Sequence, residues 1–142
     1  MEGILSRLMS IDYGEKRIGI AMTDPLKLFA NPYITIKNIG LKHILSEIND
    51  IICENSIEKV IVGLPLNLEG SDSQKTLEVR KFFSELSKFI LVPSVLFDER
   101  YSTIEANDYL KEKGFTVKES REIIDQIAAA VILRSYLEFD KS

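Results

Sequence analysis

The sequence predicts an α/β domain in which a mixed five-stranded sheet is covered by helices. Segments with the apolar pattern of strands alternate with segments whose apolar residues recur at helical spacing. The first strands follow one another closely, as in a hairpin, whereas the later strands are separated by stretches long enough for a helix. The 142 residues fit a single domain, 1–142.

The first part of the sheet is predicted to be antiparallel. Residues 6–13 and 17–23 are apolar segments joined by a turn at 14–17, which together predict a β-hairpin. Residues 33–37 alternate between apolar and polar side chains and predict a third strand. These three strands therefore form one side of the predicted sheet.

The second part alternates between helices and strands. Residues 41–55 have helical spacing, and residues 58–64 form the continuous apolar run of a buried parallel strand. Further helices and one strand are predicted at 73–89, 94–98, 102–113 and about 119–139. A hairpin followed by strand–helix crossovers predicts the order 3-2-1-4-5, with strand 1 in the centre beside strand 4.

Composition limits the possible classes. No run of about 18 apolar residues is present, which argues against a membrane span, and the first residues lack the pattern of a signal peptide. The single cysteine, Cys53, cannot form an internal disulfide. These features predict a cytoplasmic protein. The net charge of −4 is unusual for a nucleic-acid binder, but it is compatible with one whose carboxylates form a metal site.

Three carboxylates occupy positions that are unusual for solvated charges. Asp12 lies near the end of the central strand, where aspartate is rare, although a turn role ahead of Gly14 is an alternative. Glu99 follows the fifth strand, at the edge where open α/β sheets place their sites, and Asp98 competes for that role. Asp125 lies on the apolar face of the last helix and is directed toward the sheet. An ion pair with a lysine or arginine is the alternative there.

Together these carboxylates predict one site for divalent metal. Mg²⁺ and Mn²⁺ prefer carboxylate oxygen as a ligand. Two such ions about 4 Å apart can activate water and stabilise the leaving oxygen of a phosphodiester. Asp12, Glu99 and Asp125 are therefore predicted as catalytic residues and as ligands of Mg²⁺ or Mn²⁺ in a nuclease.

Other chemistries fit the sequence less well. His43 is the only histidine, so a histidine-rich zinc site is excluded. Cys53 lies among apolar residues and is expected to be a packed thiol. The segment 63–71 follows a strand but lacks the glycine spacing and the lysine of a phosphate-binding loop, so it is expected to be a loop beside the acidic site.

Four segments resemble the motifs of the YqgF-type family. They occur in the family's order and span nearly the whole chain. The segments are 11–21; 62–65 with Asn67, Gly70 and Ser71; 98–103 with Ala106; and Asp125 with Ala128, Ala129, Ile132 and Leu133.

This resemblance implies a bacterial nuclease with a ribonuclease H-like fold. Members of the family are described as Holliday junction resolvases and as nucleases that process the 5′ end of pre-16S ribosomal RNA. The acidic positions of the family correspond to Asp12, Glu99 and Asp125 in this sequence.

Polar residues next to these positions are predicted to bind the substrate. Lys16, Arg17 and Arg100 are expected to contact backbone phosphates. The alternatives are that Arg100 pairs with Asp98 or Glu105 and that the two turn residues are solvated. The remaining predicted substrate-binding residues belong to the second and third motifs and are Asn67, Ser102 and Thr103.

Nucleic acid is the predicted partner, with structured RNA favoured and branched DNA as the alternative. Symmetric cutting of a four-way junction needs two active sites in a two-fold arrangement. The sequence has no heptad repeat or obvious dimerisation helix, so a monomer or weak dimer is predicted. An actin-like ATPase is excluded because it needs two domains, whereas a non-catalytic RNA-binding or ribosome-assembly factor stays open.

Overall fold

The computed structural model describes residues 6–102, 108–109, 111–114 and 121–140. Within these ranges, five strands and three α-helices form the domain, and a short 3₁₀ helix follows the last strand. The strands are β1 Arg7–Asp12, β2 Arg17–Thr23, β3 Ala30–Lys37, β4 Ile57–Leu64 and β5 Ser94–Asp98. The α-helices are α1 Leu41–Asn55, α2 Gln74–Phe89 and α3 Arg121–Asp140, and the 3₁₀ helix is Glu99–Tyr101.

The strands form one sheet with the order β3-β2-β1-β4-β5, which confirms the predicted topology. β2 pairs antiparallel with both β1 and β3, whereas β4 pairs parallel with β1 and β5. The carboxyl ends of β1, β4 and β5 therefore meet at one edge of the sheet. This edge is where the predicted acidic residues Asp12 and Glu99 lie.

Helices cover both faces of the sheet. α1 and α2 pack on one face, where they share a core with alternate residues of the strands. α3 packs on the other face and lies across β1, β2 and β3. The sheet is thus buried on both sides, which explains the continuous apolar run of β4.

Alternation along β1 determines which way Asp12 points. Met9 and Ile11 belong to the core under α1 and α2. Ser10 lies on the opposite face and donates a hydrogen bond to the carbonyl oxygen of Ala129 in α3, at 2.6 Å. Because successive side chains of a strand point to opposite faces, Asp12 lies on the same face as Ser10, under α3.

Several boundaries differ from those predicted. β3 begins at Ala30 and includes Pro32, whereas the sequence predicts a start at 33. Proline is tolerated because β3 is an edge strand, and the pairing with β2 shifts register at this point. α2 begins one residue late because Ser73 is its N-cap, in a capping box with Thr76.

The helix predicted at 102–113 lies partly outside the described residues. Residues 108, 109, 111 and 112 are helical, but Ser102 is not, because the 3₁₀ helix ends before it. Gly114 follows with a φ of 91°, as expected for a helix end. No helix in the described ranges is long and apolar enough to cross a membrane.

Candidate active site

A cleft of about 520 Å³ opens at the carboxyl end of β1. It lies between the first turn of α2 and the α3 side of the sheet, and it combines acidic and basic side chains. It is lined by Asp12, Gly14, Glu15, Lys16, Arg17, Gln74, Lys75, Glu78 and Asp125. Four predicted site residues, Asp12, Lys16, Arg17 and Asp125, therefore line one cavity.

Asp12 is a partly buried carboxylate in this cleft. The pKa of Asp12 is raised to about 6, chiefly by burial and further by the charge of Asp125, against an opposing effect of Lys75. A raised pKa means that the ionised form is poorly stabilised by the protein itself. Asp12 is thus a carboxylate whose charge would be stabilised by a bound cation.

Glu99 is directed to the same face of the sheet. Phe97 belongs to the core under α3, and Glu99 follows two residues later, just beyond the end of β5. It lies against Gly63 of β4, where an added Cβ would come within 2.8 Å of Glu99 Oε2. The absence of a side chain at Gly63 therefore makes room for this carboxylate.

The electrostatics of Glu99 resemble those of Asp12. The pKa of Glu99 is raised to about 7, chiefly by burial and then by the charge of Asp12, while Lys75 opposes the shift. The charges of Asp12 and Lys75 therefore both act on Glu99. Glu99 does not itself line the cleft, and its role in the site stays a prediction.

Asp98 has a different role in the structure. It accepts hydrogen bonds from the backbone and guanidinium of Arg100, with Arg100 Nη2 at 2.6 Å from Asp98 Oδ2. This ion pair lowers the pKa of Asp98. Arg100 also donates to the carbonyl oxygen of Leu68, so it joins the end of β5 to the loop after β4. The geometry therefore favours the pairing alternative for Arg100 in this state of the protein.

Asp125 is held by an ion pair at the edge of the cleft. Arg17 Nε donates to Asp125 Oδ2 at 2.6 Å, and both side chains are partly buried, with 29% and 21% exposed. α3 lies very close to β2 here, since a Cβ on Gly19 would come within 2.0 Å of the Asp125 carbonyl oxygen. Gly19 thus sets how near Asp125 comes to the sheet.

The carboxylate oxygens of the site are the kind of ligand that divalent metal ions prefer, and they do not surround a single point. Among the described residues, no three acidic, histidine or cysteine side chains converge as a ready ligand group. Burial raises the pKa of both Asp12 and Glu99, and the charge of Asp12 raises that of Glu99 further, whereas Asp125 is engaged by Arg17. Within the described residues, Asp12 and Glu99 form no ion pair, so their oxygens are the free donors of this arrangement.

Lys75 is a cleft residue that the sequence analysis does not identify. It is the second residue of α2, and its charge lowers the pKa of both Asp12 and Glu99. One signal was present in the sequence. A lysine in the first turn of a helix opposes the helix dipole, so its presence there without an acidic neighbour is unusual.

The other predicted substrate-binding residues that the structure describes are not among those that line the cleft. Asn67 stabilises the loop after β4, because its side chain donates to Ser71 Oγ at 2.9 Å. Ser102 caps the 3₁₀ helix through its backbone. Thr103 lies outside the described residues.

The raised pKa values predict how the stability of the metal-free protein depends on pH. Asp12 and Glu99 bind protons more tightly in the folded state than in the unfolded state. The folded protein therefore gains stability as pH falls from about 7 toward 4.5 for Glu99, and from about 6 toward 3.8 for Asp12. We expect the free energy of unfolding in chelator to rise by about 3 kcal/mol between pH 8 and pH 5.

Denaturant unfolding at several pH values, with chelator present, measures this effect. Glu99→Gln is the matched variant, and it should flatten most of the rise between pH 7 and pH 5. Carboxylates with lowered pKa, such as Asp98, lose stability only at lower pH and do not interfere. A wild-type stability that falls from pH 8 to pH 5 would contradict the burial of these carboxylates.

The sheet order and the position of the acidic cleft are those of the ribonuclease H-like class. The sequence model of the RuvX family, described as Holliday junction resolvase, matches residues 6–139. This chain therefore belongs to the RuvX family, which confirms the resemblance found in the sequence motifs.

Close relatives extend over almost the whole chain. A protein of Syntrophomonas wolfei is 39% identical over 132 residues, covering 93% of this chain and 94% of the relative. A protein of Koribacter versatilis is 36% identical over 132 residues, covering 93% of this chain and 86% of the relative. Both relatives carry the name "Putative pre-16S rRNA nuclease".

Solved structures share the fold at low sequence identity. RuvC of Thermus thermophilus, in complex with Holliday junction substrate, has a TM-score of 0.67 and 12% identity, covering 96% of this chain and 95% of that one. The Fowlpox virus resolvase has a TM-score of 0.58 and 14% identity, covering 96% and 99%. These similarities support the ribonuclease H-like architecture.

Proposed function

We propose that this chain is a metal-dependent nuclease of the cytoplasm that processes the 5′ end of pre-16S ribosomal RNA. The observation that carries the proposal is the pair of partly buried carboxylates with raised pKa, Asp12 and Glu99, at the edge where three parallel strands end. Such a pair lowers the stability of the fold when no cation is bound, so we infer that its role is to bind one. The names of the close relatives supply the RNA substrate.

Asp12, Glu99 and Asp125 are the residues that would hold Mg²⁺ or Mn²⁺. The bound ions would supply Lewis-acid chemistry, activating water and stabilising the leaving oxygen of the phosphodiester. Asp12 and Glu99 provide oxygen ligands from the sheet, and Asp125 provides one from the helix above it. The wall formed by α3 keeps these ligands on one side of the cleft.

Arg17 connects the metal ligands with the substrate in this proposal. In the structure, Arg17 neutralises Asp125. If Asp125 held a cation, the guanidinium of Arg17 would be free at the rim of the same cleft, where a phosphate oxygen could accept its hydrogen bonds. Lys16 lies beside it in the cleft, whereas Arg100 would have to leave Asp98 to reach a phosphate. Asn67, Ser102 and Thr103 are the further proposed contacts.

Cleavage of a 5′-extended fragment of precursor 16S RNA by the purified protein tests the function. We expect cleavage with Mg²⁺ or Mn²⁺ and none with chelator. Persistent RNA binding without cleavage in any divalent ion would contradict the nuclease assignment and favour a non-catalytic RNA-binding factor.

Resolution of DNA junctions is the second candidate, because the matching family is described as Holliday junction resolvase. A synthetic four-way junction tested with the same preparation, together with light scattering, separates the two. A monomer or weak dimer that cuts the RNA supports the first proposal. A tight dimer that nicks opposing junction strands in concert would replace it with the second.

A further inference from the structure

Among the described residues, Lys75 is the one basic residue of the cleft lining that belongs to α2. α2 packs against the opposite face from α3, so its first turn and the α3 wall enclose the cleft from two sides. Lys75 lines this cavity together with Asp12 and Asp125. Within the part of the chain that the structure describes, Lys75 forms no ion pair, whereas Arg17 and Arg100 each have a carboxylate partner.

The start of α2 is fixed in place, so the ammonium group is presented from a rigid element. Ser73 and Thr76 form a reciprocal capping box, and the side chain of Thr76 also donates to the carbonyl oxygen of Pro65. Thr76 is fully buried. These contacts join the first turn of α2 to the loop that leaves β4, beside Glu99. Lys75 itself is exposed to the cleft.

We propose that Lys75 is a catalytic residue whose ammonium group binds a non-bridging oxygen of the scissile phosphate. This inference rests on the proposed nuclease function and adds a substrate contact opposite the metal ligands. The cations would lie at the carboxylates, on one side of the cleft, and Lys75 lies on the other side. A phosphate between them would therefore be attracted by positive charge from both sides. Charge that develops on the phosphate during cleavage would then be stabilised by a lysine whose backbone is held at the capped start of α2.

A purely structural role for Lys75 makes a different prediction. If Lys75 served only to neutralise Asp12 and Glu99, then its removal would affect folding and metal binding and leave substrate contacts unchanged. As a phosphate ligand, it repels a cation bound at the same carboxylates and attracts the substrate. Removing its charge should therefore strengthen metal binding and weaken substrate binding, which are changes of opposite sign.

The experiment compares Lys75→Gln with Lys88→Gln and Lys75→Arg. Lys88 is an exposed lysine in the last turn of the same helix, remote from the cleft, so it controls for the loss of one positive charge from α2. Mn²⁺ affinity is measured by calorimetry. RNA affinity is measured against salt concentration in an Asp12→Asn background, where cleavage does not interfere. Turnover is measured with the precursor RNA fragment.

We expect Lys75→Gln to bind Mn²⁺ about threefold more tightly or better. The slope of RNA affinity against salt, on logarithmic axes, should fall by about 0.7 to 0.9, and turnover should fall about 100-fold. Lys75→Arg should restore most of the turnover, and Lys88→Gln should leave turnover and Mn²⁺ affinity near wild type. This pattern supports the proposal.

Two results would overturn the assignment of Lys75. One is a Lys75→Gln variant with the same salt slope and turnover as Lys88→Gln. The other is weaker Mn²⁺ binding with an unchanged salt slope, which would make Lys75 a structural support of the carboxylates. If the wild type cleaves no substrate, the nuclease proposal fails separately, and the salt slope still determines whether Lys75 contacts phosphate.

Discussion

Asp12→Asn is expected to abolish cleavage while the metal-free protein becomes more stable. The loss of activity should be on the order of 1,000-fold, because one ligand oxygen is replaced by a neutral group that binds a cation weakly. The gain in stability follows from the raised pKa of Asp12, since the partly buried charge is unfavourable at neutral pH and asparagine removes it.

Melting temperature in chelator and nuclease rate with Mg²⁺ or Mn²⁺ measure the two effects. Asp50→Asn is the matched control, because Asp50 is an exposed aspartate on α1 that does not line the cleft. The control should match wild type in both measurements. Full activity in Asp12→Asn, or wild-type activity that chelator does not reduce, would remove the assignment of this residue.

Glu99→Gln is expected to be as damaging as Asp12→Asn, and Asp98→Asn much less so. Gln has nearly the same shape as Glu and fits against Gly63, so the variant tests charge with little change in packing. We expect a loss on the order of 1,000-fold for Glu99→Gln. Asp98→Asn weakens a partly exposed ion pair with Arg100, and its loss should stay below about tenfold.

Calorimetric titration with Mn²⁺ makes this comparison independent of the substrate. Glu99→Gln should bind the ion weakly, whereas Asp98→Asn should bind it as wild type does. If Asp98→Asn is the inactive variant and Glu99→Gln retains turnover, then the carboxylate that faces the site has been wrongly chosen.

Most of the fold could be predicted from the sequence because its elements have strong local patterns. β2 has the predicted bounds, since alternation and the flanking turn define it, and α1 is defined by its helical spacing. The strand order followed from the hairpin and the crossovers. β3 was predicted too short because Pro32 normally excludes a strand. An edge position, which depends on the whole sheet, makes it acceptable.

The candidate site could be predicted only in part. Alternation along β1, and along β5 into Glu99, places Asp12 and Glu99 on one face of the sheet. The apolar face of α3 places Asp125 on the surface that faces them. All of these are local patterns in the sequence. The Arg17–Asp125 pair joins residues 108 positions apart, so no local pattern reveals it. The contribution of Lys75 depends on how the start of α2 is fixed over the end of the sheet, which only tertiary contacts define.

The position of α3 in the chain has a consequence for biosynthesis. The helix follows all five strands, and its contacts with β1 and β2 join residues more than 100 positions apart. A nascent chain that has already exposed the whole sheet still lacks Asp125 and the wall above Asp12. The cleft is therefore completed only when α3 packs on the sheet, after the slow, long-range pairings. On the proposed function, a partly synthesised polypeptide that still lacks α3 has no complete cutting centre near the surrounding RNA.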